Sequence, residues 1–266
     1  MLYLSPVHRV LRLSGPDALA FLQSQLTNDA AALTVGAWQW QGYCSAKGRL
    51  LATFALARTG AETWEAVVHG STVEALTKRL TMFRMRSKVV IEIAADRSVA
   101  YAFDGFDAVH VADSPAASSL RLNLGQPDGL GHAYVLLDAS EAATVQLASV
   151  AVGARWQRAC IDAMQPEITA STVEMFVPQM IDWDTVQPGG GVSFSKGCYP
   201  GQEVVARAHY RGAVKRRLEK IALSATETPD VGTEITLTDG RSAEVCNVAR
   251  TGEHEAFALV VVSPAE

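Results

Sequence analysis

Apolar and polar positions alternate through much of the first hundred residues, and between the alternating stretches the apolar spacing lengthens to that of helices. Trp38, Trp40, Gly42 and Cys44 alternate with Gln39, Gln41 and Tyr43, the period of a half-buried strand. Lys47-Gly48 supplies a turn, after which Leu50, Ala52, Phe54 and Leu56 alternate, and then Trp64, Ala66 and Val68. A shorter strand is predicted at 10–13. Ser14-Gly15-Pro16-Asp17 reads as a helix start with proline in the first turn. Leu19, Leu22 and Leu26 follow at helical spacing, so that helix is predicted to reach about Asn28. Ser71-Thr72-Val73-Glu74 reads as a second capping box, with Val73, Leu76, Leu80 and Phe83 on one helix face. Residues 89–93 return to strand. This order predicts an α+β layer with helices on one side of a mainly antiparallel sheet.

The second half is less regular. A strand is predicted at 134–137 and a helix at 140–150, while the polar stretch 113–123 reads as an exposed connection. Trp156, Ala159, Cys160 and Ala163 share one face of a helix ending near Pro166. Pro188-Gly189-Gly190-Gly191 lacks the spacing of a phosphate loop and reads as a flexible approach to a strand at 192–194. Beyond Arg217 the pattern is one of strands and short turns. The clearest turn is the Asp-Gly hairpin signal Thr238-Asp239-Gly240-Arg241. The tail therefore reads as a compact β-barrel or meander docked on the main body.

Composition narrows the class. At 266 residues, 48% apolar and 19% charged, the chain is that of an ordinary soluble protein. No stretch approaches the roughly 20 apolar residues of a membrane span. His8, Arg9 and Pro6 near the start argue against a secretory signal, so a cytoplasmic location and no membrane partner are expected. Cys44, Cys160, Cys198 and Cys246 form no C-x-x-C pair, so a metal centre of the chain's own is not expected. The net charge is −5, yet seven basic residues against two acidic ones lie between Lys196 and Lys220. A local anion site fits this better than a nucleic-acid-coating surface, and no direct nucleic-acid partner is expected.

The chemistry concentrates in Ser193-Phe194-Ser195-Lys196-Gly197-Cys198-Tyr199-Pro200-Gly201-Gln202-Glu203. Pro200 and Gly201 break the chain and open a helix, with Gln202 and Glu203 in its first turn, where the dipole favours a carboxylate. Glu203 and Arg207 are four apart and can pair. Cys198 precedes this helix N-terminus beside Lys196, a setting that favours thiolate. The alternative is that Cys198 is a small buried filler.

The run Lys196-Gly197-Cys198-Tyr199-x-Gly201-Gln202-Glu203-x-x-Ala206-Arg207 is similar to the signature of YgfZ-type folate-binding proteins. These are a branch of the aminomethyltransferase (glycine-cleavage T-protein) superfamily. The run Gly15 to Asp29 resembles that superfamily's N-terminal helix, and Phe176-Val177-Pro178-Gln179 its F-I-P-Q element. The resemblance implies a multi-subdomain body (1–212, two interleaved α+β subdomains) around a central hole that binds tetrahydrofolate. A small C-terminal β-barrel (213–266) completes it.

T-proteins use an aspartate in the strand after an Ala-x-Gly turn, and the matching Asp-Asp pair falls here on Ala52 and Thr53. Without that carboxylate the parent reaction lacks its proton-handling group. Trp156 matches a folate-binding tryptophan, a flat ring suited to a pterin, or else it is a core residue. Asp162 falls where the superfamily places a pterin-facing glutamate, and could equally pair with Arg158. His8 falls near a second aromatic position of the site, or is an exposed strand histidine. Arg207 could meet the anionic glutamate tail of folate, or be a solvated cation. The implied role is a monomeric, non-catalytic folate-binding factor serving iron–sulfur client proteins, with indirect effects on tRNA modification. The alternative is a folate-dependent aminomethyltransferase or demethylating enzyme.

Overall fold

Three antiparallel sheets share one interior, and the first dozen residues stitch two of them together. The computed structural model describes residues 2–103, 119–125, 131–212, 214–224, 228–252 and 255–264. Strand β1 (Leu2–Leu4) lies at the edge of one sheet, and β2 (His8–Ser14) lies inside another. That second sheet has the order β3 (Trp38–Cys44), β4 (Leu50–Gly60), β5 (Thr63–His69), β2 and β6 (Val90–Ile93). Leu11, Leu13, Phe54 and Leu56 face helices α1 (Ala18–Gln25) and α2 (Gly70–Phe83), where Leu22, Leu76 and Leu80 cover them. The alternate positions Val10, Ala55, Ala57 and Val67 pack toward the other sheets. The strands are thus buried on both faces, although alternation alone predicted one. Even Gln41 is fully buried, because its side chain serves Asn28 of the neighbouring loop.

Both predicted helix starts are real, but their caps differ. The Asp17 carboxylate accepts the N–H of Lys88 (2.7 Å) rather than capping α1. Leu26 is extended and the Thr27 N–H donates to Gly42 O (3.0 Å), which stops α1 at Gln25, short of Asn28. At α2 the cap is His69, whose Nδ1 accepts the N–H of Ser71 (3.1 Å).

The sheet that holds β1 continues through β7 (Arg97–Phe103), β9 (His132–Asp138) and β8 (Leu120–Asn123). Strand β8 corrects the exposed connection expected there; residues 113–118 lie outside the described residues. The helix expected at 140–150 is a single turn, α3 (Ala139–Ala142), closed by an Asp138/Glu141 capping box. The chain then extends, because residues 146–148 exchange backbone hydrogen bonds with Leu4 on both sides. Helix α4 (Val150–Asp162) starts afresh on the Ser149 cap.

The signature helix α5 (Gln202–Arg211) leads to the tail. There β10 (Arg217–Ser224), β13 (Glu255–Val262), β12 (Ser242–Arg250) and β11 (Glu234–Thr236) form a curled half-barrel. Its Asp239-Gly240 turn is closed by Leu237 N–H to Arg241 O (2.8 Å), as the sequence predicted. Leu218, Ala249 and Leu259 of this sheet join the same core as Trp156. Residues 192–194 form no strand, and the glycine run before them is packed. A side chain at Gly191 would meet the Trp183 indole at 2.2 Å, and the carbonyls of Gly190 and Gly191 accept from Asn28 and Thr27.

Candidate functional site

Where β4, β5, β9, α4 and the half-barrel converge they enclose a cavity of about 110 Å³, continuous with an open mouth. Aromatic rings form much of its wall. Trp156 is almost wholly buried and stacks on Tyr101, with centroids 4.2 Å apart and planes 11° from parallel. Phe103 and His132 meet it edge-on and Tyr134 at a tilt. Trp40 packs against Trp183 at 5.3 Å on another wall. His132 Nε2 lies 2.9 Å from Gln165 Oε1, and the Gln165 amide donates to the carbonyls of Leu124 and Gln187.

The polar corner is built from residues far apart in sequence. His8 is buried, not an exposed strand histidine. Its Nε2 lies 2.8 Å from Glu167 Oε1 and 3.0 Å from the Tyr134 hydroxyl. Its Nδ1 lies 3.0 Å from Ser5 Oγ and 3.1 Å from the Tyr101 hydroxyl. His69 sets its ring edge-on to His8 at 5.8 Å and lines the cavity. Glu167 is fixed from the half-barrel: its N–H donates to Asn247 Oδ1 (3.0 Å), and Asn247 Nδ2 donates back to its carbonyl (3.1 Å). A bulge between Val245 and Asn247 points this side chain inward.

Burial pushes the Glu167 carboxyl up, but the charge and hydrogen bond of His8 and the charge of His69 outweigh it. The group is held below its ordinary range. Burial also lowers the His69 imidazole, against the pull of Glu167. The Tyr101, Tyr134 and Cys160 groups are raised by desolvation, and both phenols stay protonated donors.

Thr53 lines this cavity, but its hydroxyl accepts the N–H of Ile168 (2.9 Å). Ala52 faces the helices. Neither supplies a carboxylate, yet Glu167, next to Ile168, brings one into the same cavity.

The other sequence candidates lie elsewhere. Asp162 pairs with Arg158 (2.6 Å) and Lys220 (3.1 Å) and is no part of the cavity wall. Arg207 is exposed on α5, and Glu203 forms no ion pair with it among the described residues. In the signature, Gly201 has φ 81°, and a side chain there would meet Ser45 O at 2.3 Å and Gly48 Cα at 2.6 Å. That contact docks the signature turn on the Ser45–Gly48 turn. Lys196 does not lie free beside the thiol. Its ammonium is buried and donates to the carbonyls of Leu26 (2.5 Å) and Asn28 (3.2 Å), above the ring of buried Tyr199. Desolvation lowers this ammonium to about 8. Gly197 and Cys198 are exposed, and Gln202 opens α5 behind the Gly201 cap.

No family model matches the chain. The tRNA-modifying protein YgfZ of Edwardsiella ictaluri is 32% identical over 272 residues, which covers 95% of this chain and 81% of that protein. The chain belongs to the YgfZ family. The Klebsiella pneumoniae tRNA-modifying protein YgfZ is 31% identical over 245 residues, 86% of this chain and 73% of that protein. Among solved structures, the glycine cleavage system aminomethyltransferase T of Bartonella henselae superposes with a TM-score of 0.69. It covers 98% of this chain and 78% of that one at 15% identity, a likeness of fold.

Of the residues in and around this cavity of the YgfZ-family chain, the sequence pointed to Trp156 and His8 but not to Glu167, His69, Tyr101, Tyr134 or Gln165. One signal was available for Glu167: it follows Pro166, a few residues beyond the end of the helix that carries Trp156.

Proposed function

We propose that this protein binds tetrahydrofolate in the cavity beside Trp156 and acts as a non-catalytic factor supporting iron–sulfur enzymes. Its effect on tRNA modification would be indirect, through tRNA-modifying enzymes that carry such clusters. The observation that carries the folate reading is the cavity itself: Trp40, Tyr134, Trp156 and Trp183 form its walls, with the polar atoms of Gln165 and Glu167 between them. Largely apolar walls with a few convergent polar groups are the usual form of a small-molecule site. The 1–212 body holds this site in the proposal, and the 213–266 tail closes it through Asn247. The iron–sulfur part rests on the signature resemblance and on Cys198, the one exposed cysteine. In this reading the protein is cytoplasmic and monomeric, its clients meet Cys198, and Arg207 meets the glutamate tail of folate.

One observation favours the second reading, a folate-dependent aminomethyltransferase or demethylating enzyme. Glu167 supplies an ionised carboxylate where Ala52 and Thr53 supply none. Titration with tetrahydrofolate, followed by tryptophan fluorescence, tests the shared folate claim. Three of the five tryptophans line the cavity, so the emission must change on binding. A glycine-cleavage assay with this chain in place of the T-protein separates the two readings: background turnover supports the factor, and turnover above background supports the enzyme.

A further inference from the structure

We propose that α2 and the turn after it form a docking groove for an acidic, amphipathic segment of a partner protein. The groove lies between α2 and residues 170–173, encloses about 530 Å³, and is floored by Leu51, Ala75, Leu76, Met82, Phe83 and Val173. It is distinct from the aromatic cavity, from which the sheet of β3, β4, β5, β2 and β6 separates it. Met82 is 68% exposed, Phe83 45% and Met85 84%. Three neighbouring large apolar side chains held in water mark an interaction face, unlike singly scattered ones. Methionine suits this use because its unbranched, polarizable side chain adapts to varied partners. Met85, in the turn beyond the groove, also sits in the left-handed region at φ 51°, a conformation uncommon for a residue other than glycine.

The charge around the groove names the occupant. Lys78 and Arg79 line the groove, and Arg84, Arg86 and Lys88 follow at the end of α2 and in the turn after it, with Glu74 the one acid among residues 74–88. None of the five forms an ion pair among the described residues. Arg79 rests over the Phe83 ring at 5.6 Å, and Arg84 donates to Val89 O. The stretch is +4 in a chain of −5, so the rest of the molecule is −9. A concave apolar floor with a cationic rim fits a helix whose apolar residues recur at i, i+3 and i+4 between aspartates and glutamates. A flat membrane surface does not follow a concave floor. A second copy would bring the same cationic rim against itself.

The test uses the full-length protein and a fluorescein-labelled synthetic helix with leucine and phenylalanine on one face and glutamate on the other, read by anisotropy. It should bind in the micromolar range and weaken as salt rises. Met82→Asp, and separately Arg86→Glu with Lys88→Glu, should each weaken binding about tenfold or more. The same helix with lysine for glutamate should bind at least about tenfold more weakly. All of these residues are exposed, so the variants should keep wild-type melting and tetrahydrofolate titration. A photo-crosslinker in place of Met85 in cells should map to an acidic, apolar-faced protein segment and lose that product in the Arg86→Glu, Lys88→Glu background. No binding of the acidic helix, binding indifferent to the substitutions, or crosslinks to RNA, lipid or a second copy would overturn the proposal.

Discussion

Replacing Trp156 separates the structural contribution of this ring from its role in binding. Trp156→Ala removes a side chain that is 3% exposed, stacked on Tyr101 at 4.2 Å and enclosed by Phe103, His132 and Tyr134. Truncating such a residue costs about 3–5 kcal/mol, made of lost transfer energy and the cavity left behind. Against a total stability of about 5–15 kcal/mol this is a large share. For a chain of this size it lowers Tm by roughly 6–20 °C. The alanine variant is therefore a poor probe of ligand binding, since a loss of affinity would be mixed with a loosened wall. Trp156→Phe keeps a ring on Tyr101 and should cost roughly 1–2 kcal/mol. Urea unfolding monitored by far-ultraviolet circular dichroism measures both. A Trp156→Ala variant within about 1 kcal/mol of wild type would refute the reading that this ring packs α4 onto β7 and β9.

Three further outcomes are expected. Iodoacetamide should label Cys198 first in the native protein: it is exposed, whereas burial raises Cys160, Cys246 and, to about 12, Cys44; peptide mass spectrometry showing any other thiol first would contradict this. Glu167 is held below its ordinary 4.5 on folding, so its contribution is complete above that value and disappears as pH falls through the folded value. The urea midpoint should thus rise with pH between about 3 and 5 more steeply in wild type than in Glu167→Gln, and equal slopes would remove the His8–Glu167 pair from the account. Lys196 falls from 10.5 to about 8 on folding, so its ammonium is penalised in the native state and stability should increase as pH rises through that window. The rise from pH 8 to about 9.5 should vanish in Lys196→Met, and a rise that persists there would assign it to another group.

The sheet of β3, β4, β5, β2 and β6 was legible because its signals are local. The alternation of Trp38 to Cys44 marks β3 at its observed bounds, and the Asp239-Gly240 turn carries its own chemistry. Residues 140–150 misled because helix propensity is weak beside a tertiary partner: Leu4, more than a hundred residues away, draws 146–148 into an extended pairing. The cavity was only half legible for the same reason. Trp156 could be read from its helix face and its motif. His8 was reached only through the family resemblance, and its burial could not be read, since what buries it is Tyr101, Tyr134 and Glu167, each at least 93 residues distant. Lys196 stands two positions from Cys198 in sequence, but the fold turns its ammonium toward the end of α1.

Calorimetry on two proteins is the sharpest test of whether tetrahydrofolate occupies the cavity beside Trp156. Gln157 lines the mouth and is exposed, so Gln157→Trp can fill the entrance without disturbing the core. Wild type should bind tetrahydrofolate at one site, and Gln157→Trp should give no heat at an unchanged melting temperature. Absence of heat from wild type at millimolar tetrahydrofolate, or undiminished binding by Gln157→Trp, would contradict that occupancy.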